Sequence, residues 1–132
     1  NSLLTANFLS RSSESKVIMC PGEFRKTSMA FMGPMTDEFI GQFQVDILFL
    51  GVEGVDLKNG LTVPDTTDGM TKRAMVNHAQ RIVCAADSSK VGLTFLHRIC
   101  SLSEMHTLVT DEGLHMEAAR DYLHQGVTVE RV

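Results

Sequence analysis

The sequence predicts a single α/β domain with a mostly parallel, Rossmann-like sheet and helices on both of its faces. Three apolar runs, at residues 17–20, 45–52 and 82–86, are continuous rather than alternating. This is typical of parallel strands that are covered on both sides. Shorter runs at 108–109 and 127–129 predict two further strands. Because helical patterns separate these runs, the order predicts an α/β fold with right-handed crossovers.

Four helices are predicted from apolar spacing. The first is short and contains Leu4 and Phe8. The second starts at Pro34, a favoured first helical residue, and the third contains Met70. The fourth contains Tyr122 and is predicted to end at Gly126. The apolar positions that support these helices are Met35, Phe39, Ile40 and Phe43 in the second, Ala74 and Met75 in the third, and Leu114 and Ala118 in the fourth. Thr66, Thr67 and Asp68 are candidate N-caps of the third helix. Residues 10–15 are polar and predict a loop.

The composition favours a soluble protein that does not itself bind nucleic acid. The chain has 132 residues, a net charge of -4 and a pI of about 5.7, whereas a surface for phosphate backbones is basic. Neither a bilayer-spanning apolar run nor a signal-peptide pattern is present, which predicts a cytoplasmic location. Cys20, Cys84 and Cys100 predict buried, reduced thiols, and the five histidines lack zinc-site spacing. No metal and no cofactor are predicted.

Polar turns follow the predicted strands. In open α/β sheets, ligands bind outside the carboxyl ends of the strands, so these turns are the candidate binding segments. They are PGEFR at 21–25, GVEGVD at 51–56, DSSK at 87–90 and TDEG at 110–113. Taken singly, each is more simply explained as a turn: Asp87 and Asp111 as caps, and Lys72 as a residue on a solvated helix face. The chain contains no GxSxG motif, so no nucleophilic serine of the hydrolase type is predicted. It also lacks the GxGxxG motif of dinucleotide-binding sites and the GxxxxGK[ST] motif of Walker-type phosphate loops.

These segments together resemble a known family. The matching stretches are NSLLTANFL, PGEFRKTSMAFMGP, VDILFLGVEGVDLKNGLTVPD, TKRAMVNHAQRIVCAADSSKVG and MHTLVTDEG. In their order and spacing they resemble the C-terminal effector-binding (sensor) domain of DeoR-family transcriptional regulators, along nearly the whole chain. The most specific pieces are FLGVEGVD and ADSSKVG.

The resemblance implies a fold like that of ribose-5-phosphate isomerase and the CoA transferases. It also implies binding of a phosphorylated sugar or a related effector, in a regulator that often represses genes of sugar metabolism. Operator DNA is then bound by an N-terminal helix-turn-helix, and the subunits form homodimers or homotetramers. Residues 1–132 correspond to one sensor domain without its first strand and without the helix-turn-helix. The exposed sheet edge that this predicts could support dimerisation.

The resemblance also transfers individual roles to residues of this chain. Gly54 and Asp56 match the motif after the second predicted strand, where Asp56 would accept hydrogen bonds from sugar hydroxyls. Lys90 matches the lysine expected to neutralise the phosphate. The remaining candidate ligand-binding residues are Lys72 and Arg25, as further cations, and Asn1, beside the expected phosphate loop.

Two alternatives remain beside the sensor. A sugar-phosphate isomerase would need a carboxylate base near the substrate carbon. Asp56 is followed by Leu57-Lys58-Asn59-Gly60, without the glycine run of the isomerases, so the sequence predicts no enzyme. An oligomerisation domain without a ligand is the second alternative, since each polar turn could serve the fold alone.

Overall fold

A computed structural model describes residues 1–12 and 14–132 of the chain. In chain order, its elements are α1 Leu3–Ser12, β1 Glu23–Arg25, β2 Ala30–Met32, α2 Pro34–Ile40, β3 Val45–Gly51, β4 Gly54–Asp56, β5 Gly60–Val63, α3 Thr66–Asn77, β6 Ala79–Ala85, β7 His97–Cys100, β8 Thr107–Thr110, α4 Met116–His124 and β9 Thr128–Arg131. Short 3-10 turns lie at Ser88–Lys90 and Leu102–Glu104.

The central sheet is parallel and has the strand order β3-β6-β8-β9. Helix α3 leads into β6, and α4 leads into β9, so helices connect and flank the strands. This confirms the predicted α/β class. Because all four strands run in the same direction, the turns after β3, β6 and β8 emerge at one edge of the sheet, called the rim below.

Two antiparallel sheets were not predicted. The first is the β1–β2 hairpin, and the second has the order β4-β5-β7. Their strands are only three or four residues long, too short for a clear apolar period in the sequence. The β4-β5-β7 sheet matters for the site, since β4 directly follows the rim end of β3.

The hydrophobic core lies between one face of the central sheet, the β4-β5-β7 sheet, α3 and α4. Leu50, Cys84 and Leu108 supply the inner face of the central sheet, while Val76 and Tyr122 approach from α3 and α4. Cys84 and Cys100 are buried free thiols, and Cys20 is half-buried. Burial raises the pKa of Cys84 to about 12 and that of Cys100 to about 11, so both are protonated.

Several predicted local features are wrong. Residues 17–20 are not a strand, because among the described residues no neighbouring strand pairs with them. Asp65, not one of residues 66–68, caps α3 by accepting from Asp68 N. Residues 10–12 continue α1 rather than forming a loop, while position 13 of that predicted loop lies outside the described residues. Phe43 and Leu114 lie just outside the helices to which they were assigned. Gly126 ends α4 as predicted, with a positive φ of 85°.

Strand β3 forms an outer edge of the central sheet and is buried on only one face. Leu50 is 2% exposed, whereas Phe49 on the opposite face is 74% exposed, with Val45 and Ile47 also exposed there. Strand β9 forms the other edge. None of the helices in the described part of the chain has the length and apolarity to cross a membrane.

Candidate functional site

Three segments meet at the rim and enclose a cavity of about 310 Å³, called the rim cavity. They are the end of β4, the turn that follows β6, and the segment that leads from β8 into α4. The cavity is lined by Asp56, Leu57, Ser88, Val91, Gly92, Gly113, Leu114, His115, Ala118, Asp121 and Tyr122. Separate strand ends therefore converge on one concave cavity, and of the six predicted ligand residues Asp56 alone lines it.

Asp56 is held firmly on one side of this cavity. Its Oδ1 accepts hydrogen bonds from Lys58 N at 3.1 Å, Asn59 N at 2.7 Å and Asn59 Nδ2 at 2.9 Å. Within residues 1–12 and 14–132, its Oδ2 has no hydrogen-bond partner or paired cation. One carboxylate oxygen thus fixes the turn, and the other is available to a ligand.

The turn after β6 is joined to β4 and α4 through a single carbonyl. Val55 O accepts from Gly92 N at 2.7 Å and from the Tyr122 hydroxyl at 2.9 Å. Tyr122 is 2% exposed, and burial together with the charges of Asp56 and Asp121 raises its pKa to about 12. The phenol is therefore a neutral donor that ties α4 to the floor of the cavity.

Asp111 joins the turn after β6 to the turn after β8. Its carboxylate accepts from Ser88 N at 2.6 Å, Ser88 Oγ at 2.8 Å and Gly113 N at 2.8 Å. These hydrogen bonds favour the charged form and lower the pKa of Asp111 to about 2. The sequence suggested an N-cap for this residue, but α4 begins only at Met116, and Asp111 instead holds two turns together.

The predicted cations do not line the rim cavity. Lys90 Nζ is 3.6 Å from Glu53 and 4.0 Å from Asp87, both too long for a hydrogen bond. Lys72 Nζ forms a closer pair with Asp68 at 2.7 Å, and both side chains are mostly buried. The positive charges of Lys72 and Lys90 both oppose the rise in the pKa of Cys84, so both lie near the end of β6.

The direction of α3 explains why Lys72 lies near the rim. At the C-terminal end of α3, His78 O accepts from Val45 N, where β3 begins. The first turns of α3 therefore lie toward the opposite edge, where the strands end. Arg25 joins this region by pairing with the N-cap Asp65 at 2.8 Å. That pairing raises the pKa of Arg25 and lowers that of Asp65.

Two other predicted ligand residues lie elsewhere or have a packing role. Asn1 Nδ2 donates to Phe31 O, and Asn1 lines a different cavity, described below. A Cβ on Gly54 would lie 2.5 Å from Leu93 O and 2.6 Å from Thr62 Oγ1. Gly54 therefore permits close packing of β4 against residues 93 and 62, and it does not line the rim cavity.

The second cavity has a volume of about 320 Å³ and lies beside β3. It is called the edge cavity and is lined by Asn1, Ile18, Cys20, Phe39, Ile40, Phe43, Val45, Ile47, Leu48, Phe49, Met75 and His78. Ten of these twelve are apolar or thiol side chains, so this wall offers few hydrogen bonds to a ligand.

Sequence reasoning missed four polar residues of the rim cavity: Ser88, His115, Asp121 and Tyr122. The DSSK motif pointed to the segment containing Ser88, but the other three lie in or beside a helix assigned to packing alone. A helical polar residue facing a cavity has no local signal, because its role depends on the distant strands around it. Among the residues that the structure describes, no group of three or more His, Cys, Asp or Glu side chains could hold a metal ion.

Comparison with known proteins decides the family. Residues 1–112 match the family model described as the DeoR C terminal sensor domain. The chain belongs to the DeoR family. This DeoR-family chain is 31% identical over 111 residues to the glycerol-3-phosphate regulon repressor of Escherichia coli K12, covering 84% of the chain and 44% of that repressor.

Two further relatives are transcription regulators by name. The HTH-type transcriptional regulator GlpR of Haloferax volcanii is 32% identical over 116 residues, covering 88% of the chain and 46% of the relative. The HTH-type transcriptional repressor GlcR of Bacillus subtilis is 31% identical over 111 residues, covering 84% and 43%. The DeoR-family chain thus spans a little under half the length of these relatives.

Proposed function

We propose that this chain is the effector-sensing part of a transcription regulator and binds a phosphorylated sugar at the rim of its central sheet. The observation that carries the proposal is the convergence of Asp56, the turn after β6 and the entry to α4 on one cavity. DeoR-family membership supports a regulatory role, and named relatives repress genes, one of them the glycerol-3-phosphate regulon.

The charges at the rim support an anionic effector. Lys90 lies 3.6 Å or more from its acidic neighbours, so a phosphate can displace weak contacts rather than a strong ion pair. Lys72 lies near the same strand end, although its 2.7 Å pair with Asp68 must be loosened or shared. Asp56, which lines the rim cavity, offers its Oδ2 as an acceptor for a sugar hydroxyl.

In the intact regulator, effector binding would change the affinity for operator DNA, with the DNA-binding segment outside this chain. A ligand shifts such an equilibrium only by its different affinity for the two states. We propose that the protein acts in the cytoplasm as a homodimer or homotetramer. Sedimentation velocity over a range of concentrations tests the oligomeric state, and a monomer at every concentration would contradict it.

Thermal unfolding with a panel of sugar phosphates tests the effector site. At a ligand concentration of 100 times Kd, a true effector should add about 2.7 kcal/mol to the free energy of unfolding. The same sugars without phosphate should give a smaller shift. Lys90→Ala should weaken binding, whereas Lys58→Ala, on the exposed β4–β5 turn, should not. Absence of a shift with every sugar phosphate would favour a domain that serves only oligomerisation.

We propose a receptor rather than an enzyme. The named relatives are transcription regulators, which supports this proposal. Three donors hold Asp56 Oδ1 within its own turn. An isomerase assay with pentose and hexose phosphates tests this proposal. Turnover that disappears in Asp56→Asn would establish catalysis instead.

A further inference from the structure

The turn after β6 is held at both of its ends by residues from other elements. At its start, the Asp111 carboxylate accepts hydrogen bonds from Ser88 N at 2.6 Å and from Ser88 Oγ at 2.8 Å. At its end, Gly92 N donates to Val55 O at 2.7 Å. Lys90 lies between these two attachments. The backbone that carries Lys90 is therefore fixed from the ends of β8 and β4 as well as by its own turn.

The contact between Asp111 and Ser88 also depends on a glycine. Gly113 N donates to the same carboxylate at 2.8 Å. A Cβ at Gly113 would clash with Ser88 Oγ and would lie 2.6 Å from Asp111 Oδ1. Ser88, Asp111 and Gly113, together called the clasp, can therefore close only because position 113 has no side chain. Close packing and hydrogen bonding thus both indicate that the start of the turn is fitted to Asp111.

Lys90 has no strong contact of its own that would fix its amino group. Its Nζ lies 3.6 Å from Glu53 and 4.0 Å from Asp87, and within the described part of the chain it makes no hydrogen bond. The place from which the amino group reaches an anion is therefore set by the backbone of the turn. A side chain that is placed beforehand loses less conformational freedom when it binds a ligand.

We propose that Asp111 is a positioning residue: through Ser88 it holds the turn after β6 in the conformation that presents Lys90 to an anionic group. Asp111 does not touch the anion, and its own negative charge disfavours an anion nearby. Removal of a carboxylate that acted by charge alone would therefore strengthen anion binding, whereas removal of a positioning carboxylate weakens it. This proposal rests on the proposed function, because it assumes that Lys90 contacts the anionic group of the effector.

Titration with inorganic phosphate at constant ionic strength, followed by the NMR amide signals of the turn after β6, tests this role. Asp111→Asn should weaken phosphate binding by about two- to tenfold, the cost of ordering one long side chain on binding. The matched control is Glu112→Gln, since Glu112 is the exposed neighbour and its side chain is not part of the clasp. It removes the same charge from the same segment and should not weaken binding.

Two further variants open the clasp without changing any charge. Ser88→Ala removes one of the hydrogen bonds to Asp111, and Gly113→Ala places a methyl group against Ser88 Oγ. Both should weaken phosphate binding in the same direction as Asp111→Asn, and Ser88→Ala by the smaller factor because the bond from Ser88 N remains. Amide spectra that match the parent chain away from the clasp show that each variant is folded.

A double variant separates positioning of Lys90 from general damage to the fold. In the Lys90→Ala background, phosphate affinity should be the same with and without Asp111→Asn, because the side chain that Asp111 places is gone. Unchanged or tighter binding in Asp111→Asn alone, or an equal loss in both backgrounds, would overturn the positioning role and leave the proposed function standing. A parent chain whose turn does not respond to phosphate would contradict the proposed function as well.

Discussion

The two cavities of this domain have nearly the same volume, about 320 and 310 Å³, but their walls differ in chemistry and in support. The edge cavity has apolar walls beside an outer strand whose Phe49 is 74% exposed. The rim cavity has polar walls tied together by Asp111, Tyr122 and the Asp56 turn. The two cavities therefore differ in the number of fixed polar groups that could orient a ligand.

The largest expected difference between the cavities is in how much their wall residues contribute to the free energy of unfolding. Tyr122→Ala should lower the free energy of unfolding by about 3–5 kcal/mol, because it empties a buried aromatic site and removes the bond to Val55 O. Phe43→Ala, in the half-exposed wall of the edge cavity, should cost only about 1 kcal/mol. Urea unfolding measures both values. Similar losses in the two variants would mean that the cavities are equally supported.

Close packing beneath the rim should make Gly54→Ala costly. The added Cβ would lie 2.5 Å from Leu93 O, so the β4 segment or residue 93 must move. Overpacking of this kind costs about 1–3 kcal/mol. Gly51→Ala is the matched control, since nothing lies within 4 Å of its Cβ position. If thermal unfolding shows equal effects for Gly51→Ala and Gly54→Ala, the packing explanation is wrong.

The Asp111 contacts should appear in the dependence of stability on pH. Its pKa is about 2 in the folded chain against an ordinary value of 3.8, so its contribution is present above pH 3.8 and is lost as the pH falls toward 2. Asp111→Asn should therefore be less stable than the parent chain at neutral pH and should approach it at pH 2. The exposed neighbour Glu112 provides the control Glu112→Gln. A stability difference that is constant from pH 7 to pH 2 would contradict this account.

The smallest effect on stability is expected at the edge cavity. Phe49→Lys should change the free energy of unfolding by no more than about 0.5 kcal/mol, because the ring is mostly exposed. It should nevertheless reduce any self-association, since a lysine on an outer strand disfavours pairing with another edge. Sedimentation velocity measures this, with Leu123→Lys on the exposed side of α4 as control. Unchanged association would exclude the β3 edge as its cause.

The sequence predicted the parallel strands better than the small sheets, for a physical reason. Runs such as residues 45–52 are visible in the sequence as apolar segments, and β3 was found at Val45–Gly51. The expectation that this run is covered on both faces is wrong, because β3 is an outer strand whose Val45, Ile47 and Phe49 are exposed. The run at 17–20 is equally apolar but has no strand beside it, so it was assigned wrongly. The strands of the β4-β5-β7 sheet are too short to show a period.

The site was predicted in part for similar reasons. Asp56 and the segment at 87–90 follow strands directly, so their position at the rim could be inferred from the order of the chain. The roles of Asp121 and Tyr122 depend on where α4 packs, and that position is a tertiary property. The ion pair between Arg25 and Asp65 could not be predicted from the sequence either, because the turn before Arg25 does not follow a strand.

The two walls of the rim cavity come from different parts of the chain. The match to the family model ends at residue 112, and the segment from Gly113 through Tyr122 begins immediately after it. In the proposed receptor, a change of residue on α4 would alter the wall of the rim cavity while the turn at Asp56 stays as it is. Such an arrangement would let one scaffold acquire new chemical preferences through a single short helix.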